Sequence, residues 1–296
     1  MNWSVNASRE ILRLACQQAG IEYTRVELVR FGTNAVYKLE PLQIAVRVSR
    51  PGAPPEWTER ELAVTKWLSQ RGFPTVAPLE SVSQGAEVYG SLVTFWPWLE
   101  HNEENPSPDL FGKLLRQLHN LTEFYSEPLP PWNPAVIIEM LLAHLRQSNH
   151  LAPSDLDLLR RWHNWLAPQL DDQSSELGTG LVHGDAHIGN CVSSDRGLLL
   201  LDFDYVCHGP REWDLIPETL GPRRFGRSRQ DYQDFADAYG YDVTAWPGYR
   251  ICALTRELLI TCWRLDVEAI SPVRAEGERR LRYWRREPTP PGWKAF

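Results

Sequence analysis

Leu181 to Asp204 reads LVHGDAHIGNCVSSDRGLLLLDFD. Its pattern is strand, polar loop, short strand, turn, apolar strand and then two carboxylates, with Asp195-Arg196-Gly197 supplying the turn chemistry. His183, Asp185, His187, Asn190, Asp202 and Asp204 therefore collect at neighbouring strand ends. A loop so rich in groups that need partners is costly unless it binds something.

The spacing narrows the chemistry. Asp185 stands five residues before Asn190, and Asp202 follows twelve later at the close of a leucine run. Phosphoryl-transfer enzymes of the kinase type use this order: the first Asp takes the proton of the attacking hydroxyl, and the Asn and second Asp hold magnesium against nucleotide phosphates. The phosphates of ATP require a divalent cation, and magnesium prefers oxygen ligands that include one or two carboxylates. Two other readings stand beside this one. A Gly-Asp turn after a strand can be an ordinary loop, and His183, Asp185 and His187 are the residue types of a zinc site. The zinc reading leaves Asn190 and the Leu198 to Asp202 strand unexplained.

HGDAHIGN followed by LLLLDFD resembles the HGDxHxxN and DFD or DFE signatures of the aminoglycoside phosphotransferase and choline kinase superfamily, relatives of the protein kinases. GPREWDL at Gly209–Leu215 and LRQLHNL at Leu115–Leu121 resemble two further segments of that family. The resemblance implies an α+β, bilobal, protein-kinase-like fold with a small antiparallel-sheet lobe and a mainly helical lobe. It implies Asp185 as the catalytic base, Asn190 and Asp202 as magnesium ligands, Asp204 as an aid to the metal, and ATP as phosphoryl donor. His183 and His187 would order the loop, and Asp214 would hydrogen-bond it.

Composition bounds the alternatives. The 296 residues are 43% hydrophobic and 23% charged, an ordinary globular balance sufficient for one large or two modest domains. Met1 to Gly20 lacks the pattern of a signal peptide and no apolar run reaches membrane-spanning length, so a cytoplasmic protein without a membrane partner is expected. Cys16, Cys191, Cys207, Cys252 and Cys262 form no CxxC pair, as befits reduced, packed thiols. A net charge of −7 argues against a nucleic-acid partner. Met1 to Trp96 carries ten basic and nine acidic residues and the remainder twenty-one and twenty-nine, giving +1 and −8. A cationic substrate of the second part fits that split, and so does an acidic surface kept for solubility. The sequence assigns no oligomeric state.

Along the chain, Ser8 to Gly20 reads as a helix, followed by strands at Arg25–Phe31, Val36–Glu40 and Gln43–Ser49. Gly32, Thr33 and Asn34 lie in a loop that can be a plain hairpin turn; the resemblance places it over the nucleotide phosphates. Arg47 faces away from Ile44, Val46 and Val48, and stands where the family usually has Lys. A helix from Pro54-Pro55 to Gln70 carries Glu61 on its apolar stripe, where a carboxylate wants a cation, and Arg47 is the candidate. A hairpin is expected from Leu79–Ser83 and Glu87–Tyr89 around Gln84-Gly85, then an apolar strand from Ser91 to Trp96. The lobe boundary falls there, giving 1–96 for nucleotide binding and 97–296 for the catalytic loop and acceptor site. By the resemblance, Phe95, Trp96 and Trp98 line the adenine cleft, and since Pro97 has no N–H, Trp98 is a possible donor to the base.

Helices are expected from Ser107-Pro108, Asn133-Pro134 and Ser154, with stripes Leu110/Leu114/Leu118/Leu121, Val136/Ile137/Met140/Leu141 and Leu158/Leu159/Trp162/Leu166. His119 is expected to pack under the catalytic loop. Long helices at Tyr249–Glu268 and Pro272–Trp284 precede a Pro-rich tail. The acceptor is a small-molecule hydroxyl of aminoglycoside-like type, or a metabolite such as choline, a sugar or an amino alcohol. Glu100, Glu103, Glu104, Asp155 and Asp157 would suit a cationic acceptor, and Trp96, Trp98, Trp132 and Trp162 an apolar or cationic one. The rivals are a protein kinase, disfavoured by the single glycine at Gly32 and by HGD in place of HRD, and a nucleotide-binding module without catalysis.

Overall fold

A computed structural model describes residues 3–100, 106–121, 125–195, 197–269, 275–287 and 292–294. Glu103, Glu104, Arg196 of the expected turn, the helix start at Pro272, and Pro288, Pro290 and Pro291 of the tail lie outside the described residues. The chain forms two compact units, one of residues 1–106 with 189–206 and the other of 107–188 with 207–296. Thus 189–206 joins the N-terminal unit, which a single cut at 96/97 does not anticipate. No described helix is long and apolar enough to cross a membrane, and all five cysteines are free and buried.

The first unit is built on a five-stranded antiparallel sheet in the order β1-β2-β3-β5-β4, with β1 Arg25–Phe31, β2 Asn34–Glu40, β3 Ile44–Ser49, β4 Ala86–Val88 and β5 Ser91–Pro97. Alternation sends Ala35, Tyr37, Leu39, Val46, Val48, Val93 and Phe95 to one face, where they pack with Ile11, Leu12, Ala15 and Cys16 of α1, Val5–Gln18. Helix α1 begins before the expected Ser8 because Ser4 caps it, accepting from the Ala7 N–H, while Ser8 turns inward and bonds the Tyr37 hydroxyl at 2.6 Å. The opposite face carries Arg47, which pairs in register with Val36 and Thr94. Helix α2, Pro55–Gln70, supplies Glu61 to that side.

Leu79–Ser83 is not a strand. The Gln84 side chain takes that place, donating to the carbonyls of Leu79 and Phe95 and accepting from the Phe95 N–H at 2.9 Å. The hairpin therefore turns at Tyr89-Gly90, both at positive φ, rather than at Gln84-Gly85. Strands β7, Cys191–Ser194, and β8, Gly197–Leu200, complete the unit, tied in by Leu200 N–H to Pro74 O at 2.9 Å and Thr75 Oγ1 to Leu200 O at 2.7 Å.

The second unit is mainly helical. Its helices are α3 Pro108–Leu121, α4 Pro134–Ser148, α5 Pro153–Leu170, α6 Ile216–Arg224, α7 Arg229–Tyr239, α8 Tyr249–Ala269 and α9 Ala275–Trp284. One short ladder pairs β6, Thr179–Val182, with β9, Cys207–Pro210. The buried stripes are rotated from those expected. Helix α3 buries Phe111, Leu114, Leu115 and Leu118 and leaves Leu110 exposed, and α4 buries Ile138, Leu141, Leu142 and Leu145 and leaves Val136 exposed. Leu159, His163 and Leu166 are the buried run of α5. Gly112 lets α3 approach α7 closely, and the Phe111 and Phe235 rings stack at 5.4 Å.

Candidate active site

In the first unit, Arg47 is the hub of a buried polar cluster. Its Nη1 donates to Glu61 Oε2 at 2.6 Å and lies 3.8 Å from Asp202 Oδ1, while Nη2 donates to Asp204. With its carboxamide oxygen turned toward the guanidinium, Asn34 accepts from Nη2 at 2.7 Å and Nε at 3.0 Å. Burial alone would loosen the Arg47 proton, but Asp204, Glu61 and Asp202 more than reverse this and its pKa is raised. Burial, followed by the opposing pull of Arg47, sets Glu61 and Asp204, and both end above the ordinary carboxylate range. Arg60 Nη2 also reaches this cluster, at 3.5 Å from the Asp204 backbone carbonyl.

The local fold explains how they meet. Strand β8 runs out at Leu200, and the chain bends sharply because Asp202 adopts a left-handed conformation, φ 68° and ψ 59°. A single-turn 3₁₀ segment, Phe203–Tyr205, then faces α2, where Tyr205 packs on Trp57 with ring centroids 5.3 Å apart. Oxygen atoms of Glu61, Asp202 and Asp204 all lie within 4.8 Å of one another. An all-oxygen donor set of this kind suits a hard divalent cation such as Mg²⁺. Asn190 is buried immediately before β7, its backbone carbonyl accepting from the Leu201 N–H at 2.9 Å. His183, Asp185 and His187 form no such ligand cluster, so the zinc alternative is not supported among the described residues.

In the second unit, the loop around Asp185 is clamped from behind. Asp214, fully buried, accepts from the His183 N–H at 2.6 Å and the Gly184 N–H at 2.8 Å. His119 stands behind it, 3.1 Å from Asp214 Oδ2 and 2.8 Å from the Tyr239 hydroxyl, as the expected packing residue. Trp213 Nε1 donates to Gly184 O at 2.9 Å, and Glu218 accepts from the Ile188 N–H at 3.0 Å. His183 Nδ1 accepts from the Asp185 N–H at 3.3 Å, and His187 Nε2 lies 3.8 Å from Asp185 Oδ2. Arg256 of α8 donates to Asp185 Oδ1 and, at 3.3 Å, to Gly184 O. Sequence reasoning missed Arg256. Its only signal is a charged Arg-Glu pair inside the apolar run ICALTRELLITC.

The remaining expected residues divide. Gly32 and Thr33 form a tight turn: Trp3 Nε1 donates to Gly32 O at 2.6 Å and the Arg50 N–H to Thr33 O at 2.9 Å. Asn34 lies in β2 rather than in the loop. Phe95 is fully buried and packs with the α1 core residues, because alternation turns it away from the Arg47 face. Trp96 lies on the Arg47 face, bonded through Nε1 to Thr94 Oγ1 at 2.8 Å. The Trp98 N–H donates to Gln43 O at 2.7 Å, so it is not an idle donor next to Pro97. Two of the expected acceptor carboxylates are already paired, Glu100 with Lys38 at 3.3 Å and Asp155, buried, with Arg285 at 2.7 Å. Trp132 packs on Trp213, and Trp162 on Trp165 and Trp284.

A small antiparallel-sheet unit with a helix-borne Glu on a strand Arg, joined to a helical unit with a clamped HGD loop, defines a kinase-like phosphotransferase fold. The chain belongs to the phosphotransferase enzyme family, whose model, APH, matches residues 30–252. Among solved structures it is similar to an amicoumacin kinase in complex with AMP-PNP, Ca²⁺ and Ami, 16% identical over 97% of this chain and 95% of that one, TM-score 0.69. It is similar also to a choline kinase from Streptococcus pneumoniae, 17% identical over 95% and 98%, TM-score 0.66. A microcompartment-associated aminopropanol kinase is 18% identical over 94% and 98%, TM-score 0.60. No curated protein matches the chain in sequence.

Proposed function

We propose that the protein transfers the terminal phosphoryl group of ATP to a hydroxyl of a small molecule. The observation that supports this most is that one unit carries an oxygen-donor cluster, Glu61, Asp202 and Asp204, and the other a clamped Asp185 whose side chain is 26% exposed. Asp202 and Asn190 would hold a magnesium ion, with Asp204 assisting. Bound there, the ion would neutralise phosphate charge. Arg47, fixed by Glu61 and Asn34, is suited to phosphate oxygens, and the Gly32-Thr33 turn and Trp96 lie in the same unit as candidate nucleotide contacts. Asp185 would orient the acceptor hydroxyl. As the hydroxyl oxygen bonds to the terminal phosphorus, the bond from that phosphorus to its bridging oxygen breaks, ADP departs, and the hydroxyl proton passes to Asp185 Oδ2.

The acceptor class rests on the relatives. Choline and aminopropanol, named in two of them, are hydroxyl compounds that also carry nitrogen, and a third is named for amicoumacin. A cationic acceptor draws less support from the paired Glu100 and Asp155 than from the overall charge. Free, buried thiols suit a reducing cytoplasm. The experiment is a screen of amino alcohols, sugars and aminoglycosides with a coupled ADP readout, repeated with Asp185→Asn. That variant should bind nucleotide normally and turn over about 10²- to 10⁴-fold more slowly. Equal turnover would remove Asp185 from the chemistry, and nucleotide binding without transfer to any acceptor would favour a binding module.

A further inference from the structure

Arg256 makes contacts that a packing residue does not need. It is 4% exposed, and its guanidinium reaches both the Gly184 carbonyl and the Asp185 carboxylate, which lie on either side of one peptide bond. Its Nε, also buried, has no hydrogen-bond partner, so the group is not placed for its own satisfaction. The other anions of the loop region are committed elsewhere: Asp214 to His183, Gly184 and His119, and Glu218 to Ile188 and Arg227. Burying a guanidinium is costly, and its carboxylate partner here is the residue assigned as base.

We propose that Arg256 is a positioning residue for phosphoryl transfer: it pins Asp185 Oδ1, leaves Oδ2 as the hydroxyl-facing oxygen, and keeps the carboxylate ionised. This rests on the function proposed above. The charged and titratable groups that face Asp185 include Arg256 from α8 and, from its own loop, His183, whose Nδ1 accepts from the Asp185 N–H at 3.3 Å, and His187, whose Nε2 lies 3.8 Å from Oδ2. Burial brings the Arg256 pKa down to about 10, so it stays protonated through the neutral range. A fixed cation on a carboxylate makes it a weaker base. A loose phosphoryl-transfer transition state tolerates that, because it asks the Asp for orientation more than for early proton removal.

The test reads Asp185 directly, without a known acceptor. In protein labelled with ¹³C at Asp side-chain carboxyls, the Asp185 signal is the one missing from Asp185→Asn, and its titration is followed in wild type and in Arg256→Met. The midpoint should rise by about 1 pH unit or more in Arg256→Met, since an adjacent cation holds it down. Turnover with the acceptor found by the ADP-coupled screen should fall about tenfold to 10²-fold with MgATP affinity unchanged. An unmoved midpoint overturns the proposal whatever the activity, and so does undiminished turnover. Should Arg256→Met fail to fold, Arg256→Lys decides. One ammonium cannot hold Gly184 O and Asp185 Oδ1 with the same geometry, so turnover should fall while the midpoint stays low, and a Lys variant with full turnover overturns the proposal. A wild-type protein inactive on every acceptor defeats the proposed function and this role with it; an active wild type with an indifferent Arg256→Met defeats only this role.

Discussion

Arg47 was legible in the sequence because two periodicities had to agree on it. Strand alternation turns it away from Val46 and Val48, helical spacing puts Glu61 on the inner stripe of α2, and the two meet at 2.6 Å. What the sequence could not give was the number of its partners, because Asn34, Asp202 and Asp204 arrive from a neighbouring strand and from a segment more than 150 residues distant in the chain. Arg256 stayed hidden for the same reason: its partner lies 71 residues away, and the charged pair in the apolar run of α8 marks it without naming that partner. The Arg47 hub can be measured. Removing the cation leaves three clustered carboxylates uncompensated, so Arg47→Ala should lower unfolding stability by about 3 kcal/mol or more. Adding Glu61→Ala to it should cost much less than Glu61→Ala does alone, a non-additivity that urea denaturation of the four proteins would expose. Strict additivity would mean that the two side chains stand apart in solution.

Elements were legible where local chemistry set their limits, and misread where a side chain from elsewhere did so. Pro55 and Gly72 bracket α2 as expected, and Asn133 caps α4 through the Val136 N–H at 3.2 Å. The strand expected at Leu79–Ser83 failed because the Gln84 carboxamide can satisfy the same Phe95 backbone groups as a strand would. In α3 and α4, several leucines and isoleucines adjoin one another, so more than one helical face is apolar and sequence spacing alone does not choose between them. Tertiary approach chooses. At Gly112 of α3, an added methyl would come within 2.5 Å of the Phe235 carbonyl oxygen and 3.1 Å of the Tyr239 nitrogen, both backbone atoms of α7. Gly112→Ala should therefore destabilise by about 1 to 3 kcal/mol, although alanine is the better helix former. A thermal melt in which this variant matches or exceeds the parent would show that α3 and α7 are farther apart than described.

For the whole molecule, composition leaves the acceptor open because a net charge carries no positions. The twenty-nine acidic residues after Trp96 include Glu257, held by Arg223 and Arg224, Glu218, held by Arg227, and Glu276, held by Arg280, besides Asp155 on Arg285. Those carboxylates serve the fold. Topology was equally out of reach of a linear boundary, since the first unit draws on residues 189–206 as well as 1–106. The 1–106 fragment lacks β7 and β8, their bonds to Pro74 and Thr75, and the Asp204 partner of Arg47. Expressed alone it should show weak chemical-shift dispersion, and a fusion of 1–106 through a flexible linker to 189–206 should recover it; a well-dispersed spectrum from 1–106 alone would show that the second segment is dispensable. On the ribosome the same discontinuity becomes a matter of time. At about 5 to 20 residues per second, the last residue of the unit is made about 5 to 20 s after Pro106. For that interval the five-stranded sheet waits without β7, β8 and the Asp204 partner of Arg47 while α3, α4 and α5 are synthesised, a period in which a chaperone that recognises unfinished folds can engage the chain.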